Sequence, residues 1–288
     1  MARNSNRTNQ NPLEEQNEPI QADSAAPIAA GAGMSWSTPT EFVELPSEGK
    51  FYPPGHPLEG QDTIEIRFMT AKEEDILTSR ALLKKGIVLD RLIDSVIVNK
   101  RIRAKDLLIG DKNAVLIATR ITGYGEEYDT SVQCPACGAS VESSFNIEEV
   151  KKVQGSEMPE GVELTEANTF TFTTPATKAL VECRLMNGED ERKLTQMQEQ
   201  RRKHKLPSAS LTNQLRQSIV SVNGNSDGTY VNGFVENVPA RDSRYIREIY
   251  SKVMPNVTLE HTFECDSCDY MAEAQAVPLG TGFFWPDA

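Results

Sequence analysis

Two short stretches carry the residues most able to do chemistry. Cys134 and Cys137 lie in "SVQCPACGAS", and Cys265 and Cys268 lie in "HTFECDSCDY". Each pair is separated by two residues, so both sulfurs of a pair can reach one point. Four thiolates converging on one ion complete a closed tetrahedral shell, and soft sulfur donors in that geometry suit zinc. In a reducing compartment, cysteines paired at short spacing read as metal ligands before they read as disulfides. Two competing readings are weaker. A thioredoxin-like dithiol sits at a strand-to-helix junction, whereas both motifs here follow strands and enter polar turns. A catalytic zinc keeps one position open, and four cysteines leave none. The expectation is therefore one structural Zn2+ per chain, held by Cys134, Cys137, Cys265 and Cys268. Cys183, the fifth cysteine, alternates with Ala179, Val181 and Leu185 and reads as core. His261 falls on an apolar strand face and reads as a packed histidine.

The flanks of both motifs alternate with the period of a strand. Tyr128, Thr130 and Val132 lead into the first motif, and Val141, Ser143 and Phe145 lead out of it. This predicts a hairpin with cysteines at its tip. Val257, Leu259, His261 and Phe263 share one face on the way into the second motif. A compact zinc ribbon separates its halves by roughly 15–20 residues. The separation here is far longer, which implies a ribbon split by an inserted helical subdomain.

The remaining elements follow from periodicity and caps. "DTIEIRFM" alternates as a strand, and Thr70 with Glu73 forms a capping box opening a helix that Gly86 ends. An apolar helix is expected over Val88 to Val98, and another after Asp111, read as its N-cap. Residues 148–165 read as an acidic loop. Phe170 and Phe172, then Ala179 to Leu185, read as two strands. "GEDERKLTQMQEQRRKHKL" reads as a charged helix with a solvated face, "ASLTNQLRQSIVSV" as an amphipathic helix, and "RDSRYIREIYSKVM" as a helix closed by Pro255. The fold class is α+β. It comprises a disordered tail over 1–40, with Met34 and Trp36 its only anchors for a docking role. A strand and helical module covers 41–125, and the first ribbon half with its following strands covers 126–186. The helical insertion covers 187–255, and the second ribbon half with a C-terminal tail covers 256–288.

Composition narrows the function. Apolar residues make up 38% and charged residues 25%, and the formal net charge is −12. No apolar run of eighteen residues occurs, and the N-terminus lacks the apolar segment of a secretory signal, so a membrane role is not expected. The acidity argues against a general nucleic-acid binder. Lys84, Lys85, Arg101, Arg103 and Lys105 form a local basic patch and leave a zinc-ribbon nucleic-acid binder as an alternative. There is no G-x-S-x-G, Walker A, G-x-G-x-x-G or H-E-x-x-H. The three histidines, His56, His204 and His261, accompany no nucleophile at a recognisable spacing, so no catalytic residues are expected.

The order of motifs adds a resemblance. "FVELPSEGKFYPPGHPL", "IEIRFMTAKEEDIL", "DKNAVLIATRITGYGEEY", "CPACG", "CDSC" and the terminal "FFWP" together resemble the T-even-type baseplate hub proteins of contractile-tailed phages. "LPSEGKFYP" and "MTAKEED" are the most specific pieces. The likeness covers roughly Phe42 to Phe145, with the second cysteine motif and Phe283 to Pro286 as outlying support. It implies a non-enzymatic structural or assembly component of the baseplate hub. Its partners would be other hub and tail proteins, including the tape-measure protein. Its place would be the virion baseplate, or the host cytoplasm during assembly. A chaperone of the tape-measure protein, absent from the mature virion, is the second possibility under the same resemblance. The zinc assignment rests on the cysteines and not on the resemblance.

Overall fold

β1 (Thr40–Glu44) pairs antiparallel with β2 (Thr63–Arg67), placing Val43 opposite Ile64. The computed structural model describes residues 38–285. Most of the tail expected over 1–40 lies outside them, as does Pro286.

α1 (Ala71–Thr78) opens where the capping box places it. The Glu73 carboxylate accepts the Thr70 backbone N–H at 3.0 Å and the Thr70 hydroxyl at 2.7 Å. It also accepts the Ser95 hydroxyl at 2.6 Å and pairs with Arg67 at 2.5 Å. Burial alone would push Glu73 up, but the hydrogen bonds from Arg67, Ser95 and Thr70 outweigh it and hold the group at about 2. The helix expected to run unbroken to Gly86 is two, because Ser79 adopts an extended ψ of 104°. α2 (Arg80–Lys85) then ends at Gly86. α3 (Val88–Val96) stops short of Val98, since Ile97 leaves it to bridge Ile66.

α4 (Ile109–Tyr124) starts two residues before Asp111, so Asp111 is not its N-cap. Its carboxylate is buried and accepts the Ser47 hydroxyl at 2.6 Å, the Ser47 N–H at 3.1 Å and the Tyr52 hydroxyl at 2.8 Å. The proline-rich loop is thereby pinned to the helix.

β3 (Glu127–Gln133) and β4 (Ser140–Asn146) form the expected hairpin. α5 (Ile147–Val150) and β5 (Lys151–Gln154) follow, where a loop was expected. β6 (Glu163–Leu164), β7 (Phe170–Thr173) and β8 (Leu180–Cys183) belong to one sheet. α6 (Gly188–Lys203) is the charged helix.

α7 (Ser210–Ser218) covers only the first part of the next expected helix. The β-branched run beyond it forms β9 (Ile219–Val222), which joins the sheet in the order β6-β7-β8-β9. A shape suited to pleated, half-buried surface wins over the helical period there. α8 (Gly228–Asn237) was not anticipated; Asp227 caps it by accepting the N–H groups of Thr229 and Tyr230. α9 (Ala240–Val253) buries Ile246, Ile249, Tyr250 and Val253.

β10 (Asn256–Glu264) and β11 (Met271–Ala276) complete the third sheet, in the order β11-β10-β5. The first turn of α4 crosses the start of β10 closely. A Cβ on Gly110 would lie 2.1 Å from the Pro255 carbonyl, so only glycine permits that approach. The main core joins Ile66, Leu92, Val115, Phe170, Phe172, Ile246, Val257 and Leu259. Cys183 is fully buried in it, as expected, and burial pushes its thiol well up.

Candidate metal centre

A second, much smaller apolar cluster lies at the far end of β10. Its buried members are Cys134, Val141, Phe263 and Cys265, with Val132, Ala139, Cys268, Tyr270 and Ala272 packed around them. The β3–β4 hairpin supplies one wall and the β10–β11 hairpin the other.

The two cysteine turns are built alike. In the first, the Cys134 N–H donates to the Ala139 carbonyl at 2.8 Å, and the Gly138 N–H donates back to the Cys134 carbonyl at 2.8 Å. Gly138 has φ +74°, a left-handed conformation that glycine adopts without strain. In the second, the Cys265 N–H donates to the Tyr270 carbonyl at 3.1 Å. In both turns a backbone hydrogen bond from the first cysteine closes the turn around the motif.

The fold brings all four sulfurs together across a long stretch of sequence. Cys134 Sγ lies 3.7 Å from Cys268 Sγ, and Cys137 Sγ lies 3.6 Å from Cys265 Sγ. All four atoms lie within 4.8 Å of one another. A disulfide requires sulfurs at about 2.0 Å, so neither cross-pair is one. A tetrahedron with metal–sulfur bonds of about 2.3 Å has edges of about 3.8 Å, close to both cross-pair distances. Cys134 is 2% exposed and Cys265 is 9% exposed, while Cys137 is open to solvent.

The thiols do not behave alike. Burial opposes ionisation of Cys134, but backbone hydrogen bonds from Cys137 and Ala136 outweigh it and draw the group down to about 7. Cys268 receives a backbone hydrogen bond from Tyr270 that lowers it. Burial and the neighbouring thiols of Cys137, Cys265 and Cys134 win, and it is pushed up to about 12. Thiolates this close oppose one another's ionisation. A divalent cation at the centre reverses that resistance.

His261 does not join the cluster. Its ring stacks on Phe145 at a centroid distance of 4.8 Å, and its Nδ1 lies 3.1 Å from the Thr262 carbonyl. Of the basic patch, Arg103 is engaged by Asp94 at 2.9 Å, and Lys84 and Lys85 sit in the last turn of α2.

A family model described as T4 bacteriophage base plate protein matches residues 38–279, a span that takes in both cysteine turns and every strand. The chain belongs to the T4 bacteriophage base plate protein family. No curated protein and no solved structure matches it. Membership places this baseplate protein in the phage tail, among other tail proteins with which it interacts. Among the described residues, no helix is long and apolar enough to cross a membrane.

Proposed function

We propose that this baseplate protein is a non-enzymatic component or assembly factor of the baseplate hub, kept in shape by one structural Zn2+ on Cys134, Cys137, Cys265 and Cys268. The observation that carries the metal is the convergence of four sulfurs within 4.8 Å from two turns on separate hairpins. Four thiolates fill a tetrahedral shell and leave no position for substrate or activated water. The metal's role is then to fasten the two hairpins, whose shared apolar cluster is small. Contacts with hub and tail proteins, the tape-measure protein among them, would carry the biological role.

Elemental analysis of the freshly purified chain tests the metal: about one zinc per chain is expected. Its absence, or iron in its place, overturns the assignment. Mass spectrometry of purified virions separates the two hub readings. Copies in the virion support a component, and none supports a transient chaperone of the tape-measure protein.

A further inference from the structure

We propose that the groove between β1 and β5 takes up an extended, basic segment of another tail protein as an added β-strand. This deepens the reading of the chain as a contact-making baseplate part and rests on it. The groove has a volume of about 640 Å³. Its floor is one face of α4, with Ala114, Ile117, Ala118 and Ile121, and Val257 of β10 closes its base.

Both walls are sheet edges. Among the described residues, β5 is the terminal strand of β11-β10-β5, and β1 is one of two strands in its sheet. The other side of that sheet is already covered, since Val98 donates to the Glu65 carbonyl at 3.1 Å and Ile97 bridges Ile66. The open side is β1.

The β1–β2 ladder shows which backbone groups are on offer. Phe68 donates to the Pro39 carbonyl at 2.9 Å, and Leu45 donates to the Asp62 carbonyl at 2.7 Å. Those bonds fix the alternation of an antiparallel pair. The backbone groups of Glu41 and Val43 face β2, and the N–H and C=O groups of Thr40, Phe42 and Glu44 face away from it, on a strand whose residues 41–44 line the groove. Among the described residues, β1 pairs with no other strand. An edge of this kind is a template for strand addition.

The side chains point the same way. Phe42 is 65% exposed on one wall, and Val153 is 62% exposed on the other. Each offers an apolar contact to alternate residues of an incoming strand.

Charge selects the occupant. Glu41, Glu44, Glu48, Asp62 and Glu148 line the groove against a single cation, Lys151. Lys151 is engaged by Glu148 at 2.5 Å, and Glu48 is paired with Lys50. Glu41, Glu44 and Asp62 have no ion-pair partner among the described residues. A strand carrying Lys or Arg answers them; an acidic one, or a second copy of this acidic edge, is repelled.

The test uses tails purified from phage whose baseplate protein carries a photo-crosslinking phenylalanine analogue at Phe42. The expected product joins Phe42 to a peptide of another tail protein with net positive charge and alternating apolar residues. A net-negative peptide, a peptide of this chain itself, or no cross-link in tails that contain the variant overturns the proposal. A second variant, Phe42→Pro, removes an outward N–H that β2 does not use, a place where an edge strand tolerates proline. Purified Phe42→Pro should match the wild type in metal content and melting. In competition with the wild type it should enter tails about tenfold less, equal to about 1.4 kcal/mol. Equal entry overturns the proposal. The two readings fail separately. Metal content and virion copy number of the wild type report on the proposed function, and the cross-link and the competition report on the groove.

Discussion

The two apolar clusters stabilise their surroundings by different means. The main core draws on every helix from α3 to α9 except the highly polar α6, which contributes one partly buried contact, Leu194. It is held by area. Each fully buried side chain such as Phe170 or Ile246 adds about 1.5–3 kcal/mol relative to exposure. The ribbon cluster has Val141 and Phe263 as its only buried hydrocarbon side chains beside two cysteines. That area is small against the entropy of ordering two hairpins, and on the proposed reading zinc on the four sulfurs makes up the difference. The lesson is that one chain can combine a region held by buried area with a small cluster that the proposed zinc would hold.

The sharpest way to break this comparison is Cys265→Ser. It should abolish stoichiometric zinc and remove about 10 kcal/mol of apparent metal-binding free energy at neutral pH. Hydrogen exchange should accelerate across β3, β4 and β11 while α3 and α9 keep their protection. Equal loosening of both regions would show that the clusters are not separately maintained. The reciprocal change, Phe170→Ala, should cost about 3–5 kcal/mol in thermal or denaturant unfolding with zinc content unchanged.

Glu73→Gln sharpens the contrast further, because Glu73 ties α1 to β2 and α3 with no metal involved. Its folded value of about 2 lies below its ordinary 4.5, so its contribution is present above pH 4.5 and lost as pH falls toward 2. The variant should lose about 3 kcal/mol at neutral pH and little near pH 2, read from melts at several pH values. A pH-independent deficit would contradict that account. The smallest effect is expected from Gly138→Ala. The site has room for a methyl but a φ of +74°, so about 1 kcal/mol should be lost with full zinc retention.

What was legible in the sequence depended on how local its cause is. The cysteine turns were legible because spacing and strand alternation around Cys134 and Cys265 are short-range signals, and their meeting followed from matching strand contexts. β5 was not. "KKVQ" has no apolar alternation and becomes a strand only because β10 offers it a partner, with Val153 opposite Val257. Asp111 looked like an N-cap because its local context fits one. Its real partners, Ser47 and Tyr52, come from a loop 64 and 59 residues away. β9 fell inside a helical period that its β-branched residues override once β8 is alongside. α8 was hidden by Gly228 and Gly233, which weaken any helical pattern.

β10 belongs to both clusters. Val257 and Leu259 are in the main core, and Phe263 and Cys265 are in the ribbon. At about 3.3 Å per residue, the backbone from Val257 to Cys265 reaches about 26 Å. The rod has one irregularity, between His261 and Phe263, where its register with β11 shifts. One end is gripped by the cysteines and the other closes the base of the groove beside β1. The cysteine turns and the groove are therefore joined through one continuous strand rather than through a loop, with a single register shift on the way.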